Sequence, residues 1–268
     1  MRKILFFLLF FSFSFGASIT NGEIEIITIE SQYAGNLSVN DKKLPWIPHP
    51  TQKNQKIAFI PAGYYDTKSI IVTNSLNGVS RNFEFDIAKK NYKKEKITVD
   101  NAKVNPPKSV LKRIAEEKNE ANAIYRVFGD NLYFNSKFIA PMNSFVTSEF
   151  GTARVFNNQV KSYHSGMDFR APIGQNVLAA NDGIVKIAKD RYYAGNSVVI
   201  DHGGGIYTQY YHLSSLNVKV GDKVKKGDII GLSGNSGRVS GPHLHFGVMV
   251  SGVQVSPVDF IEKINGLF

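Results

Sequence analysis

The stretch Gly241-Pro-His-Leu-His-Phe-Gly-Val-Met-Val250 carries two histidines into an apolar run, and the fold is read outward from it. A short apolar run bounded by turn signals such as Gly241-Pro242 reads as a buried strand. Side chains alternate along a strand, so His243 and His245, at i and i+2, point the same way. Upstream, His164-Ser-Gly-Met-Asp168 adds an imidazole and a carboxylate. Gly166 and the later Pro172 argue there for a turn running into a strand rather than for a helix. Residues four apart share one face in a strand as they do in a helix, so His164 and Asp168 can converge on one point.

Together these side chains supply a three-ligand metal site and a spare imidazole in a chain with no cysteine, a set that suits catalytic zinc. Such an ion is held by three protein ligands with water in the open fourth position, so four candidates overfill it. One of the four should therefore act on the water or the substrate, and His212, in Tyr210-Tyr-His-Leu-Ser214, is a fifth polar group available for the same work. A lone histidine in a strand is more often a satisfied core or surface residue, and His212 alone would be read that way. The two paired motifs, set among many glycines, speak for a site.

From Phe150 to His245 these motifs fall in an ordered series. It runs through Phe150-Gly151 with Arg154, His164-Ser-Gly-Met-Asp168, Gly174-Gln-Asn-Val177 and Ala180-Asn-Asp-Gly183. It continues with Gly195-Asn-Ser-Val198, Asp201-His-Gly203, Tyr211-His-Leu-Ser214, Val220-Gly-Asp-Lys-Val224, Gly227-Asp-Ile-Ile-Gly231 and Gly241-Pro-His-Leu-His245. The series resembles the catalytic domain of the lysostaphin- and LytM-type zinc metallopeptidases, which cut peptide cross-links in bacterial cell walls. The resemblance implies that His164, Asp168 and His245 bind Zn2+ and that His212 and His243 are the catalytic histidines. No position of the family's core motif is missing, whereas relatives that have lost ligands act as non-catalytic regulators of other wall hydrolases. The residue types suit the chemistry on their own account. Zinc acidifies water and polarises a carbonyl, and imidazoles with pKa values near the working pH can move protons or steady an oxyanion. Which histidine does which stays open. A His-Glu-x-x-His motif is absent, which points away from that metallopeptidase class.

The start of the chain addresses the compartment. Arg2 and Lys3 precede an apolar stretch from Ile4 to Phe15, and Ser14-Phe-Gly16 offers small residues for cleavage after Gly16. Residues 1–16 are thus expected to be a signal peptide for export to the periplasm or cell envelope. An uncleaved anchor is the alternative, although a transmembrane helix wants about 20 apolar residues. No cysteine follows the apolar run to carry a lipid, and none is available for disulfides, so stability rests on apolar cores. The net charge of +10 suits a carboxylate-bearing wall polymer, although Lys89-Lys90, Lys93-Lys94 and Lys225-Lys226 read as easily as solvated faces. The basic residues are too scattered for nucleic acid.

The fold class is mainly β. Residues 17–104 are expected to form an accessory β-sandwich, from the alternation at Glu23–Ile26, the runs Ile57–Ile60 and Ile70–Val72, and Phe83, Phe85 and Ile87 on one face. Asn77-Gly78 is a hairpin signal, and Asn21-Gly22 marks a turn into the first run. Asn105-Pro-Pro107 offers a cap and first turn for a linking helix over 105–129, with Val110, Ile114, Ala121, Ile124 and Phe128 at helical intervals. Residues 130–268 are the catalytic domain, a mainly antiparallel sheet with Gly-rich turns. His202 either lines a substrate groove or caps its turn, and His49 belongs to a rigid extended loop. The expected function is an exported zinc endopeptidase of peptidoglycan cross-links, with D-alanyl–diaminopimelate bonds favoured over glycine bridges and the accessory domain limiting access to the cleft. The rivals are a non-catalytic wall-binding regulator of another hydrolase and a lysin aimed at other cells.

Overall fold

The computed structural model describes residues 17–97, 105–156 and 160–268. The expected leader 1–16, its cleavage point and the boundary at 104 lie outside the described residues. Among those described, no helix is long and apolar enough to cross a membrane.

Two sheets form the N-terminal part. One has five strands in the order Ser18–Thr20, Val79–Ala88, Ile70–Leu76, Asn36–Val39 and Lys42–Leu44, and the other has three, Ile24–Glu30, Gln55–Pro61 and Ile47–Pro48. They enclose Ile19, Ile27, Ile29, Leu37, Trp46, Ile60, Ile70, Val72 and Phe85, with Phe83 and Ile87 packed against the same cluster. This is the sandwich the alternation implies. At the Asn77-Gly78 turn both residues have positive φ, 51° and 78°, as a two-residue hairpin matching the strand twist requires.

The three-stranded sheet is apolar on both faces. Ile27, Ile29, Ala58 and Ile60 fill the sandwich, while Ile24, Ile57 and Phe59 belong to the core of the C-terminal sheet. Alternating residues of a strand face opposite ways, so the unbroken apolar run Ile57–Ile60 has to bury both sides. The helix Pro257–Asn265, absent from the sequence reading, fastens this sheet's edge. Ser256 caps it, Asp259 accepts a hydrogen bond from Ile24 N at 2.9 Å, and Lys263 donates to the Ile24 carbonyl and pairs with Glu25 at 2.9 Å.

The C-terminal part is built on a 10-stranded sheet. Its path runs Val146–Ser148, Met167–Arg170, His243–Val250, Ile206–Leu216, Gly195–Asp201, Gly183–Arg191 and Lys223–Val224, every pairing antiparallel. Beneath it lie Val198, Ile200, Tyr210, Leu244, Phe246 and Val248, all fully buried. Val160–Tyr163, Ala153–Phe156 and Lys94–Ile97 form a separate small sheet.

The helix at the expected link spans Lys108–Tyr125, shorter at both ends than 105–129. Pro107 is its N-cap, with an extended ψ of 149° and no side-chain cap, rather than Asn105. Pro106 precedes a proline and is thereby biased away from helical ψ, which delays the start. At the other end the single Tyr207 hydroxyl proton is shared between the carbonyls of Ile124 and Val127, 2.8 and 2.9 Å away, where the helix leaves its last carbonyls open. Ala121 and Tyr125 bury this helix against Ile187, Val199 and Tyr207 of the large sheet.

Candidate metal centre

Three neighbouring strands build the site. In the ladder Asp168 pairs with His245 and Arg170 with His243, while Tyr211 pairs with His245 from the other side. His243 and His245 share the groove face, and Leu244 between them is fully buried in the core. His164 precedes its strand, and Gly166 lets the loop approach: a Cβ there would lie 2.4 Å from the Phe246 carbonyl oxygen and 2.7 Å from His245 Nε2. Any side chain at 166 would displace His245.

The donors converge. His164 Nε2 lies 2.8 Å from Asp168 Oδ1, His245 Nδ1 lies 2.9 Å from the same oxygen, and the two nitrogens are 2.9 Å apart. On its far side His164 Nδ1 donates to the Glu149 carbonyl at 3.1 Å, with Ser148 Oγ also at 3.1 Å. A carbonyl only accepts, so Nδ1 carries the proton and Nε2 turns a lone pair toward the carboxylate. Arg154 Nη2 donates to Asp168 Oδ2 at 3.1 Å, which leaves Oδ1 for the cluster. Three donor atoms this close form a set able to hold a metal ion. Two imidazole nitrogens and one carboxylate oxygen are a donor set of the kind that suits zinc. Burial holds His164 down to about 4, and it would raise the Asp168 carboxyl, but the close polar contacts with His164 and His245 outweigh it and keep Asp168 well below the carboxylate range.

Two further imidazoles flank the donors. His243 Nδ1 donates to the Gly241 carbonyl at 2.8 Å, and its Nε2 stands 3.8 Å from Asp168 Oδ1. His212 Nδ1 donates to the Ser236 carbonyl at 2.8 Å, and its ring centroid is 4.8 Å from that of His243. Burial lowers His212 to about 3, helped by His245 and His243. Strict alternation would put Tyr211 and His212 on opposite faces, yet both line the groove. The strand breaks register between Asn196/Leu213 and Val198/Tyr210, and His212 sits at φ 65°, a bulge that turns its ring back beside His243 while Tyr211 stacks on His245 at 5.3 Å.

All five residues open into one cavity of about 660 Å3. Its far wall is the helix Lys108–Tyr125, through Ile114, Glu117, Lys118, Ala121 and Asn122, so the expected link is a side of the groove. No described residue before Glu95 lines it. His202 is elsewhere, fully buried with Phe138 at a ring distance of 5.0 Å, and His49 accepts backbone hydrogen bonds from Thr51 and Gln52 in an exposed loop. Arg154, Ser148 and Ser236 orient the cluster. Of these, Arg154 is singled out in the sequence by its place in the motif series.

The profile of Peptidase family M23 matches residues 162–257. Peptidoglycan DD-endopeptidase ShyA of Vibrio cholerae is 52% identical over 93 residues, 35% of this chain and 22% of that protein. Peptidoglycan DD-endopeptidase ShyC of the same organism is 34% identical over 152 residues, 52% of this chain and 35% of that protein. A Pseudomonas aeruginosa protein assigned to peptidase M23 has the same fold, with a TM-score of 0.70 over 91% of this chain and 95% of its own at 24% identity. The chain spans about a third or less of the length of the curated relatives it matches.

Proposed function

Because residues 162–257 form a domain of peptidase family M23, we propose that the protein is an exported zinc endopeptidase that hydrolyses peptide cross-links of bacterial peptidoglycan, at D-alanyl–diaminopimelate bonds, in the periplasm or cell envelope. The carrying observation is the convergence of two imidazole nitrogens and a carboxylate oxygen, flanked by two oriented imidazoles, in one groove. The names of the Vibrio cholerae relatives support the substrate class.

In this reading His164 Nε2, Asp168 Oδ1 and His245 Nδ1 hold the metal, and His212 and His243 are catalytic. Zinc bound there acidifies water and polarises the scissile carbonyl. Hydrolysis joins the oxygen of water to the carbonyl carbon, breaks the C–N bond, and requires one proton taken from water and one delivered to the leaving nitrogen. His212 and His243 each have Nδ1 committed to a carbonyl, so each presents Nε2 for that traffic. Arg154 keeps the Asp168 carboxylate turned.

The test is mass spectrometry of cross-linked muropeptides digested with the zinc-loaded protein. Dimers should resolve into two monomers whose masses sum to that of the dimer plus one water, one ending in a free D-alanyl carboxyl and the other carrying a free diaminopimelate amine. Dimers that stay intact while the protein binds the wall would instead favour a non-catalytic regulator.

A further inference from the structure

The large sheet ends differently at its two edges. At one end the strand Lys223–Val224 is guarded by the exposed side chains of Lys223, Lys225 and Lys226, a common protection against a further strand. At the other end Val146–Ser148 has one neighbour among the described residues, Met167–Arg170, and the stretch Phe145-Val-Thr-Ser148 carries no charge. Phe145 is 80% exposed and Val146 42%, which leaves this strand open to solvent. Its backbone is set for a partner. The Arg170 N–H donates to the Phe145 carbonyl at 2.8 Å, on the flank of the Val146–Phe169 pair. In an antiparallel ladder a pair flanked in this way does not bond to itself, so the N–H and C=O of Val146 point away from the sheet, to the open edge.

Thr147 and Ser148 continue this edge into the groove. The register shifts between Val146 and Ser148, the mark of a bulge, so these two neighbouring side chains both reach the groove, and Ser148 Oγ lies 3.1 Å from His164 Nδ1. Ser148 stands opposite Asp168 in the ladder. Strands are spaced by about 4.8 Å, so a chain paired on the open edge would run about 10 Å from the Asp168 backbone, the reach of about three extended residues. A cross-link joins two stems, and each side of its scissile bond carries a peptide arm able to cross that distance. We propose that the open edge at Val146 is a docking strand for substrate: one arm of the cross-linked peptide lies along it in extended form and pairs with the Val146 N–H and C=O, with Phe145 as the apolar contact beside it. One rung of pairing needs a single amide N–H and a single carbonyl, which a peptide carries whatever the handedness of its side chains, so D-residues are admitted. The ligand is then read through its backbone, and a peptide that stops beside the scissile bond does not reach the edge. This rests on the reading of the groove as a peptidoglycan endopeptidase site.

The outward N–H of Val146 can be removed without touching the ladder. Proline lacks it and is tolerated on an edge strand at a position whose N–H faces outward, while alanine trims the same side chain and keeps the N–H. Zinc-loaded wild type, Val146→Pro and Val146→Ala are compared on a cross-linked dimer with complete stems and on dimers with one arm or the other cut back to the residue beside the scissile bond. On the complete dimer kcat/KM should be about 5-fold lower for Val146→Pro than for Val146→Ala, the scale of one net backbone hydrogen bond, with the loss lying in KM. Shortening the docked arm should bring that ratio to about one. Amide hydrogen exchange supplies a second readout: the uncross-linked stem peptide, added to zinc-loaded wild type, should slow exchange of the Val146 N–H. Equal kcat/KM for the two variants on the complete dimer, or a Val146 N–H whose exchange the stem peptide leaves unchanged, overturns the proposal. So does a wild type that light scattering shows to be a dimer and that Val146→Pro makes monomeric, since the edge then belongs to a second copy of the chain. Should Val146→Pro misfold, the exchange measurement on wild type decides. If wild type cuts none of the dimers, the endopeptidase reading falls, and the exchange measurement still decides whether the edge binds a peptide.

Discussion

His202 and the His164–His245 pair are equally hidden from solvent, at 0%, 1% and 7% exposure, yet their surroundings differ in kind. Around His202 every polar contact closes on itself: Nδ1 donates to the Asp182 carbonyl at 2.7 Å, Nε2 lies 2.7 Å from Thr208 Oγ1, and Phe134 and Phe138 pack edge-on against the ring. At the other site the outward nitrogen of His164 is satisfied in the same way, while the inward one meets another nitrogen and a carboxylate oxygen at 2.8–2.9 Å. Burial therefore marks neither ring as functional. What separates them is whether the lone pairs end on protons or on each other.

The largest effect should come from removing a member of the converging set. His164→Ala, Asp168→Ala and His245→Ala each leave two protein donors, so bound zinc should fall from one equivalent toward none and cleavage should vanish with it. Elemental analysis of the folded variants checks this, and zinc retained in His245→Ala would break the comparison. The flanking imidazoles come next. His212→Ala and His243→Ala should keep near-stoichiometric zinc while turnover drops by about 10²–10⁴-fold. His243 and His245 are two residues apart on one strand, so zinc lost on mutating the first but kept on mutating the second would reverse their roles.

The two histidine groups were not equally legible. His243 and His245 show in the sequence because a strand has period two, and His164 with Asp168 because the glycine between them marks the turn that aims them. His212 defies the same rule. Its place in the groove depends on a bulge and a left-handed backbone, and histidine's mild preference for that conformation is too weak a signal to announce either. The sandwich was readable from Ile60, Ile70, Val72, Phe83, Phe85 and Ile87. That Ile24, Ile57 and Phe59 feed a second core was not, because an apolar run says that both faces are covered without saying by what. The same limit hid the wall helix's place: spacing gave its apolar stripe, and only the tertiary fold sets Ile114 and Asn122 against the groove.

A smaller effect sharpens the role of the groups that aim the donors. Arg154→Ala removes the partner of Asp168 Oδ2 and frees the carboxylate to turn, while leaving all three donors in the chain. Zinc affinity, measured by competition with a chelator of known strength, should weaken by about 10–100-fold, as for other partners of metal-binding side chains. An unchanged affinity would mean that the strand pairing of Asp168 with His245 suffices to orient it.

The least effect, and the cleanest contrast, concerns His202. Burial lowers its pKa from 6.5 to about 4, against the opposing pull of the Asp182 carbonyl and carboxylate. The unfolded chain thus binds a proton between these values that the folded chain refuses, so stability rises with pH across that window. In the downward direction, the His202 contribution is intact above pH 6.5, declines as pH falls below it, and is fully lost below about 4. Between pH 7 and pH 5 the loss amounts to about 2 kcal/mol. Asp201, one residue away, has its carboxyl raised by burial, and because it is present in both proteins its titration cancels in the comparison. Denaturant unfolding of the zinc-loaded wild type and of His202→Gln isolates the effect, since glutamine does not titrate. His202→Gln should be the less stable protein at pH 7, with the gap shrinking by about 2 kcal/mol at pH 5. A gap independent of pH would show that His202 finds a proton-accepting arrangement within the core, and the closed polar circuit that distinguishes it from His164 and His245 would then be open after all.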